Sequence, residues 1–161
     1  MNKSLPGLIA LALSVVLVGA GVVMLIMGVD ARTQVQTALA AENITTPDDA
    51  SIPSTPVTTA ATAMSQAEII QEHTLETTGG QTWADMDRED ELRPYYLQAV
   101  TLRTSLMSAY MGFKVAELVI GLGALFLTLG LGGGAATIAA SRRSTAAPAG
   151  RRETAEQLTT V

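Results

Sequence analysis

The stretch from Ser4 to Val29 contains no charged residue, and fourteen of its 26 positions are Leu, Ile or Val. As an α-helix it would measure roughly 39 Å, more than the about 30 Å of a bilayer's hydrocarbon core. Each Leu, Ile or Val near the bilayer centre favours insertion by about 0.3–0.6 kcal/mol, which outweighs the glycines and Ser14. Pro6 falls in the first turn, where no helical hydrogen bond is lost. The sequence therefore predicts a first transmembrane helix over residues 5–29, preceded by a cytoplasmic N-terminus, residues 1–4.

A second apolar block lies near the other end of the chain, and two charges set its register. A span over residues 106–126 buries Lys114 and Glu117, at about 2.5–3.5 kcal/mol for the lysine alone. A span over residues 118–140 is free of charge and closed by Arg142 and Arg143. The expected second helix occupies residues 114–140, with Lys114 reaching to the membrane boundary and pairing with Glu117 one turn later. Gly112, Ala116, Ala124, Thr128 and Gly132 recur at multiples of four and predict a row for close helix packing.

Direction follows from the basic residues. Lys3 precedes the first span, and Arg142, Arg143, Arg151 and Arg152 follow the second. Residues 30–113 carry twelve Asp or Glu against four Arg, a net of −8. Positive flanks stay in the cytoplasm, so both termini are expected there, with residues 30–113 extracytoplasmic and a disordered tail over 141–161. The arginine pairs of that tail are placed to touch anionic lipid. The competing expectation is a signal peptide cleaved after Ala40, within Ala38-Leu39-Ala40, although the apolar run exceeds the usual signal core.

The extracytoplasmic segment reads as helical. Ala31, Val35 and Ala38, then Tyr95, Ala99, Leu102, Leu106, Ala109 and Phe113, recur at steps of three and four, so both spans should continue outward as a paired stalk. Residues 45–63 are a Thr/Ala/Pro-rich stretch with three prolines, expected to be a loop unless it lies against something. A cap over 64–93 is signalled by the capping box Ser65–Glu68 and by a stop at Gly79-Gly80. Trp83, the only tryptophan, is the expected packing anchor of that cap. The fold class is an all-α membrane protein: a two-transmembrane-helix hairpin with stalk extensions and a small extracytoplasmic helical cap carrying a Thr/Pro-rich loop.

Chemistry is sparse. The chain has no cysteine, which removes disulfides, thiolate metal sites and cysteine nucleophiles. His73, the only histidine, has Glu72 beside it and Glu76 a turn later; these three are the candidates for a metal. A facial-triad iron site needs two histidines and a carboxylate, which one chain cannot supply and a dimer could. The acidic run Asp85 to Glu91 lacks the glycine and terminal glutamate of an EF-hand loop. No phosphate-binding or dinucleotide fingerprint is present, and the acidic balance gives no footing for nucleic acid.

In AENITTPDDA (41–50), QAEIIQEHTLETTGG (66–80) and DRED (87–90) the chain resembles a family of short actinobacterial two-span membrane proteins. The likeness extends over roughly residues 5–130, and many members carry the label aromatic ring-opening dioxygenase. That label implies an extracytoplasmic non-haem iron (Fe) site, here built around His73 across an oligomer. The residues themselves point instead to a non-catalytic accessory or interaction subunit of the cell envelope, without a cofactor. Its expected partners are the lipid bilayer and a membrane or envelope protein, or further copies of itself. The interaction candidates are Trp83, Asp87, Arg88, Glu89 and Asp90.

Overall fold

The structure, a computed structural model, describes residues 5–145. It is all-helical: α1 spans Leu5–Ala41, α2 Ala60–Thr77 and α3 Arg93–Thr145, and among the described residues there is no strand beyond an isolated bridge between Thr45 and Pro56. Two of the helices, α1 and α3, are long and apolar enough to cross a membrane. Of the most apolar 18-residue window, 11% is buried within the chain in α1 and 17% in α3, whereas the core helix of a soluble domain is mostly buried. The expected tail over 141–161 lies largely outside the described residues, as do residues 1–4.

The chain divides into two compact units. In the first, residues 5–23 of α1 meet residues 122–145 of α3 through their smallest side chains. A Cβ on Gly21 would sit 2.8 Å from the Gly123 carbonyl oxygen and 2.9 Å from the Leu127 nitrogen. One on Gly130 would sit 2.8 Å from the Ser14 carbonyl oxygen and 2.9 Å from the Val18 nitrogen. Only a hydrogen fits at these positions, and backbones that close gain van der Waals contact that larger residues forbid. Ser14 is buried at this contact, and its hydroxyl donates to the Ala10 carbonyl at 2.9 Å, so no polar atom is left unsatisfied there.

The predicted packing row is corrected. Gly112 packs on Val35, and Ala116 is buried, but Ala124, Thr128 and Gly132 are exposed, Gly132 with nothing within 4 Å of where its Cβ would be. A helix turns about 100° per residue, so a row of four-residue steps drifts by about 40° each time, or about 200° across twenty residues. The contacting positions instead hold a seven-residue period, the one that keeps a seam facing its partner. They are Ser14, Gly21, Gly28 and Val35 on α1, and Ala116, Gly123 and Gly130 on α3.

The second unit, Met24–Gly121, holds the main core. Leu39 from α1, Val57 from the connecting loop, Ala63 and Ala67 from α2, and Leu106 and Phe113 from α3 are buried together. On α1 the residue turned into this core is Leu39, not the expected Ala38, which is exposed. On α3, Ala99, Leu106 and Phe113 are buried as their spacing implied, while Tyr95 and Leu102 stay exposed.

The start of α2 is also corrected. The helix begins at Ala60, capped by Thr59, whose hydroxyl accepts from the Thr62 N–H while the Thr62 hydroxyl accepts from the Thr59 N–H. This is a reciprocal capping box six residues upstream of Ser65–Glu68. Ser65 lies inside the helix, buried, and Glu68 is exposed. The helix ends at Thr77 as Gly79 and Gly80 turn left-handed, with φ of 62° and 81°. The Gly80 N–H reaches the Leu75 carbonyl and the Gly79 N–H the Glu76 carbonyl, closing the last turn.

Candidate functional site

The Thr/Pro-rich connection is ordered because it lies against α2. Thr46, 2% exposed, organises it: its N–H donates to the Thr55 carbonyl and its hydroxyl accepts from the Thr55 N–H. The Val57 N–H donates to the Ile44 carbonyl, so residues 44–57 form a closed loop whose ends are tied by backbone. Ser65 then receives it. The Ser65 hydroxyl accepts from the Ile52 N–H at 3.0 Å and lies 2.9 Å from the Ser51 hydroxyl. Sequence reasoning missed Thr46, Thr59 and Ser65 in these roles; the Thr-x-x-Thr from Thr59 to Thr62, enclosing Ala60 and Ala61, was the signal for Thr59.

His73 sits on α2 facing this loop. Its Nε2 is 2.7 Å from Asp49 Oδ2, joining segments 41–50 and 66–80. The hydrogen bond from the imidazole holds the Asp49 carboxyl below its usual 3.8, against a weaker opposing cost of desolvation. The partner of His73 is thus Asp49; Glu72 and Glu76 are exposed. Among the described residues no three His, Asp or Glu side chains gather into a group able to hold a metal ion. Beside His73 lies a shallow groove of about 230 Å³ lined by Ile70, His73, Thr74, Tyr95, Gln98, Ala99 and Leu102.

After the α2 stop, residues 81–92 form a tight series of turns. The Thr82 hydroxyl and N–H both donate to Asp85 Oδ2, at 2.6 and 3.0 Å, and hold that carboxyl below its ordinary value. Asp90 accepts from the Leu92 N–H ahead of α3. Arg93 does not pair with the neighbouring acids. Its guanidinium lies 3.9 Å from the centre of the Trp83 ring and donates to the Met86 carbonyl at 2.7 Å. Trp83 therefore packs on the start of α3 while keeping 39% of its surface exposed. Asp87, Arg88 and Glu89 are exposed around it, with Asp90 half-buried.

The turn thus carries exposed acids and a part-exposed tryptophan, and Leu92, Leu97 and Val100, around the start of α3, are exposed as well. Away from this turn, Lys114 donates to Glu117 at 3.1 Å, both side chains about half exposed, and the ammonium lies 5.7 Å from the centre of the Tyr110 ring. No family model, curated protein or solved structure matches the chain.

Proposed function

We propose that this chain is a two-span membrane hairpin, with both termini in the cytoplasm and residues 30–113 outside, that acts as a non-catalytic interaction subunit of the cell envelope. Charge asymmetry supports the direction: basic residues flank the two apolar blocks, and the segment between them carries a net of −8. Retention of α1 as a membrane anchor is supported by the cleavage candidate. Ala38 to Ala40 lie within the last turns of α1, and Leu39 is part of the buried core, so cutting after Ala40 would require that turn to unwind and lose its core contact.

The observation that carries the functional reading is the construction of the cap. Thr46, Ser65, the Asp49–His73 pair and the Trp83–Arg93 stack spend their bonding on holding a fixed surface. The segment presents exposed Asp87, Arg88 and Glu89 and a part-exposed Trp83, followed by exposed Leu92 and Leu97, the mixture of acidic rim and aromatic or aliphatic anchor that a protein partner engages. The resemblance to two-span actinobacterial proteins is consistent with this membrane reading and leaves their dioxygenase label as an outcome of the test.

The test is mild-detergent co-purification of the tagged full-length protein beside an Asp87→Lys/Glu89→Lys variant, with protein composition and iron content measured on the same samples. The reading expects a stoichiometric membrane or envelope partner in the wild type and at least about a tenfold loss of it in the variant. A partner-free oligomer with near-stoichiometric iron that disappears in His73→Ala would overturn it in favour of an oxygenase.

A further inference from the structure

Residues 30–113 carry four arginines, and the structure treats them differently. Arg32 and Arg88 are exposed, and Arg93 stacks on Trp83. Arg103 is half-buried on α3, and among the described residues it has neither an ion-pair nor a hydrogen-bond partner. Its own helix offers no acid nearby, since no Asp or Glu occurs between Glu91 and Glu117. A guanidinium that has lost part of its water and gained no acid keeps its whole fork of N–H donors uncommitted.

Arg103 lines a cleft between α2 and α3, within the unit Met24–Gly121. Thr74 and Ala99 are buried there, and the Thr74 hydroxyl is already committed to the Ile70 carbonyl. The other polar side chains of the lining are Gln71 and Tyr96, and neither has a side-chain hydrogen-bond partner among the described residues. The cleft therefore offers a guanidinium, an amide and a phenol hydroxyl, with no acid in its lining. Its volume is about 10 Å³, room for one water-sized group and not for a whole small molecule. Arg103 also stands eleven residues outward of Lys114, about 16 Å along the helix axis. With Lys114 at the membrane boundary, that lies beyond the roughly 5–8 Å depth of the headgroup layer, so a phosphate of the chain's own bilayer is out of reach.

We propose that this cleft receives an Asp or Glu carboxylate of the partner protein, held by the fork of Arg103 with Gln71 and Tyr96 donating at its edge. The proposal rests on the interaction-subunit reading and names the chemistry of one contact within it. Size and charge select this source over a free anion. Only the tip of a larger molecule fits, and a free anion is repelled by a segment whose net charge is −8. A carboxylate carried by a protein can bring basic neighbours that answer exposed Asp87 and Glu89.

Mild-detergent co-purification of the tagged full-length protein tests it. Arg103→Gln should retain at least about tenfold less partner than the wild type, the worth of one charge-assisted pair. Arg103→Lys should keep part of the partner, and Arg32→Gln, at an exposed arginine, should leave it unchanged. Arg103→Lys also reports the chemistry, because a carbodiimide joins an amine to a carboxylate in contact with it through an amide bond. Coupling of position 103 to an Asp or Glu of the partner, mapped by mass spectrometry, is the expected result. If Arg103→Gln loses its helical circular dichroism, that coupling decides alone. Equal losses in Arg103→Gln and Arg32→Gln, which mean diffuse attraction, would overturn the proposal. So would coupling of position 103 to an acid of this chain, in the same or a second copy. Titration calorimetry with acetate and with inorganic phosphate covers the other source: submillimolar binding of either, lost in Arg103→Gln, would assign the cleft to a free anion. A wild type that brings down no partner fails the interaction-subunit reading and the cleft with it, whereas a partner kept in full by Arg103→Gln fails the cleft alone.

Discussion

Replacing Gly130 by alanine should force α1 and α3 apart, and the size of the effect follows from the contacts there. The added carbon would lie 2.7 Å from Val18 Cγ2, 2.8 Å from the Ser14 carbonyl oxygen and 2.9 Å from the Val18 nitrogen. Non-bonded carbons rest about 3.5–4.0 Å apart, so relief needs roughly 0.8 Å of separation or more. Two of the three obstacles are backbone atoms, so no rotamer change removes them. Overpacking of this kind costs about 1–3 kcal/mol. Alanine also gains about 1 kcal/mol over glycine in helix propensity, which would hide part of that cost. Gly19→Ala supplies the control, because nothing lies within 4 Å of its Cβ position and only the propensity gain remains. Equilibrium unfolding in mixed micelles, followed by circular dichroism, should therefore place Gly130→Ala about 1–3 kcal/mol below Gly19→Ala, with Gly21→Ala close to Gly130→Ala. Equal stabilities for Gly130→Ala and Gly19→Ala would refute the close-approach seam.

Three further outcomes are expected. Ser65→Ala leaves the Ile52 N–H without its acceptor at a largely buried site, at about 1–3 kcal/mol, and should appear as faster hydrogen exchange and proteolysis across residues 45–57. Arg93→Met removes the cation from the Trp83 face and should change the emission of this sole tryptophan, with a stability loss of about 0.5–1 kcal/mol. Asp49 has its folded-state carboxyl lowered by His73, so its contribution is present above the usual value of 3.8 and disappears as pH falls through the lower folded value; Asp49→Asn should abolish that acid-side loosening of the loop in a pH series of limited proteolysis.

How far the fold could be read from sequence depended on the range of the interaction involved. The two apolar helices were legible because hydropathy is a property of contiguous residues, and the end of α2 was legible because Gly79 and Gly80 act within one turn. The beginning of α2 was not. Ala60, Ala61, Ala63 and Met64 are good helix formers, but within a Thr/Pro-rich stretch they read as low complexity, and Ser-x-x-Glu supplied a plausible later start. Ser65 does something no local pattern encodes, since its partners Ser51 and Ile52 lie fourteen and thirteen residues away. The His73–Asp49 pair, 24 residues apart, escaped for the same reason.

The packing seam is a different lesson. Steps of three and four describe the segment from Tyr95 to Phe113, whereas the row of small residues from Gly112 to Gly132 keeps fixed steps of four and so leaves the seam. Carrying the seven-residue period onward from Ala116 reaches Gly123 and Gly130, positions where α3 closes on α1, and passes by Ala124, Thr128 and Gly132. Small residues mark a contact only when they also fall on the seam. Charge and aromatic character single out the interaction candidates around Trp83, whereas the stacking of Arg93 on the ring, in place of a pair with an acid, is set by the geometry of the turn.

The most direct test of the two-span account uses the absence of cysteine from the chain, which leaves a clean background for single-cysteine labelling. Gln81→Cys, in the exposed turn after α2, and Ala147→Cys, which follows Arg142 and Arg143 in the sequence, should be compared in intact cells with a membrane-impermeant maleimide. The account predicts that position 81 labels in intact cells and position 147 only after lysis, with both on a chain that still carries its N-terminus. Labelling of position 147 from outside, or a chain shortened at Ala40, would contradict it.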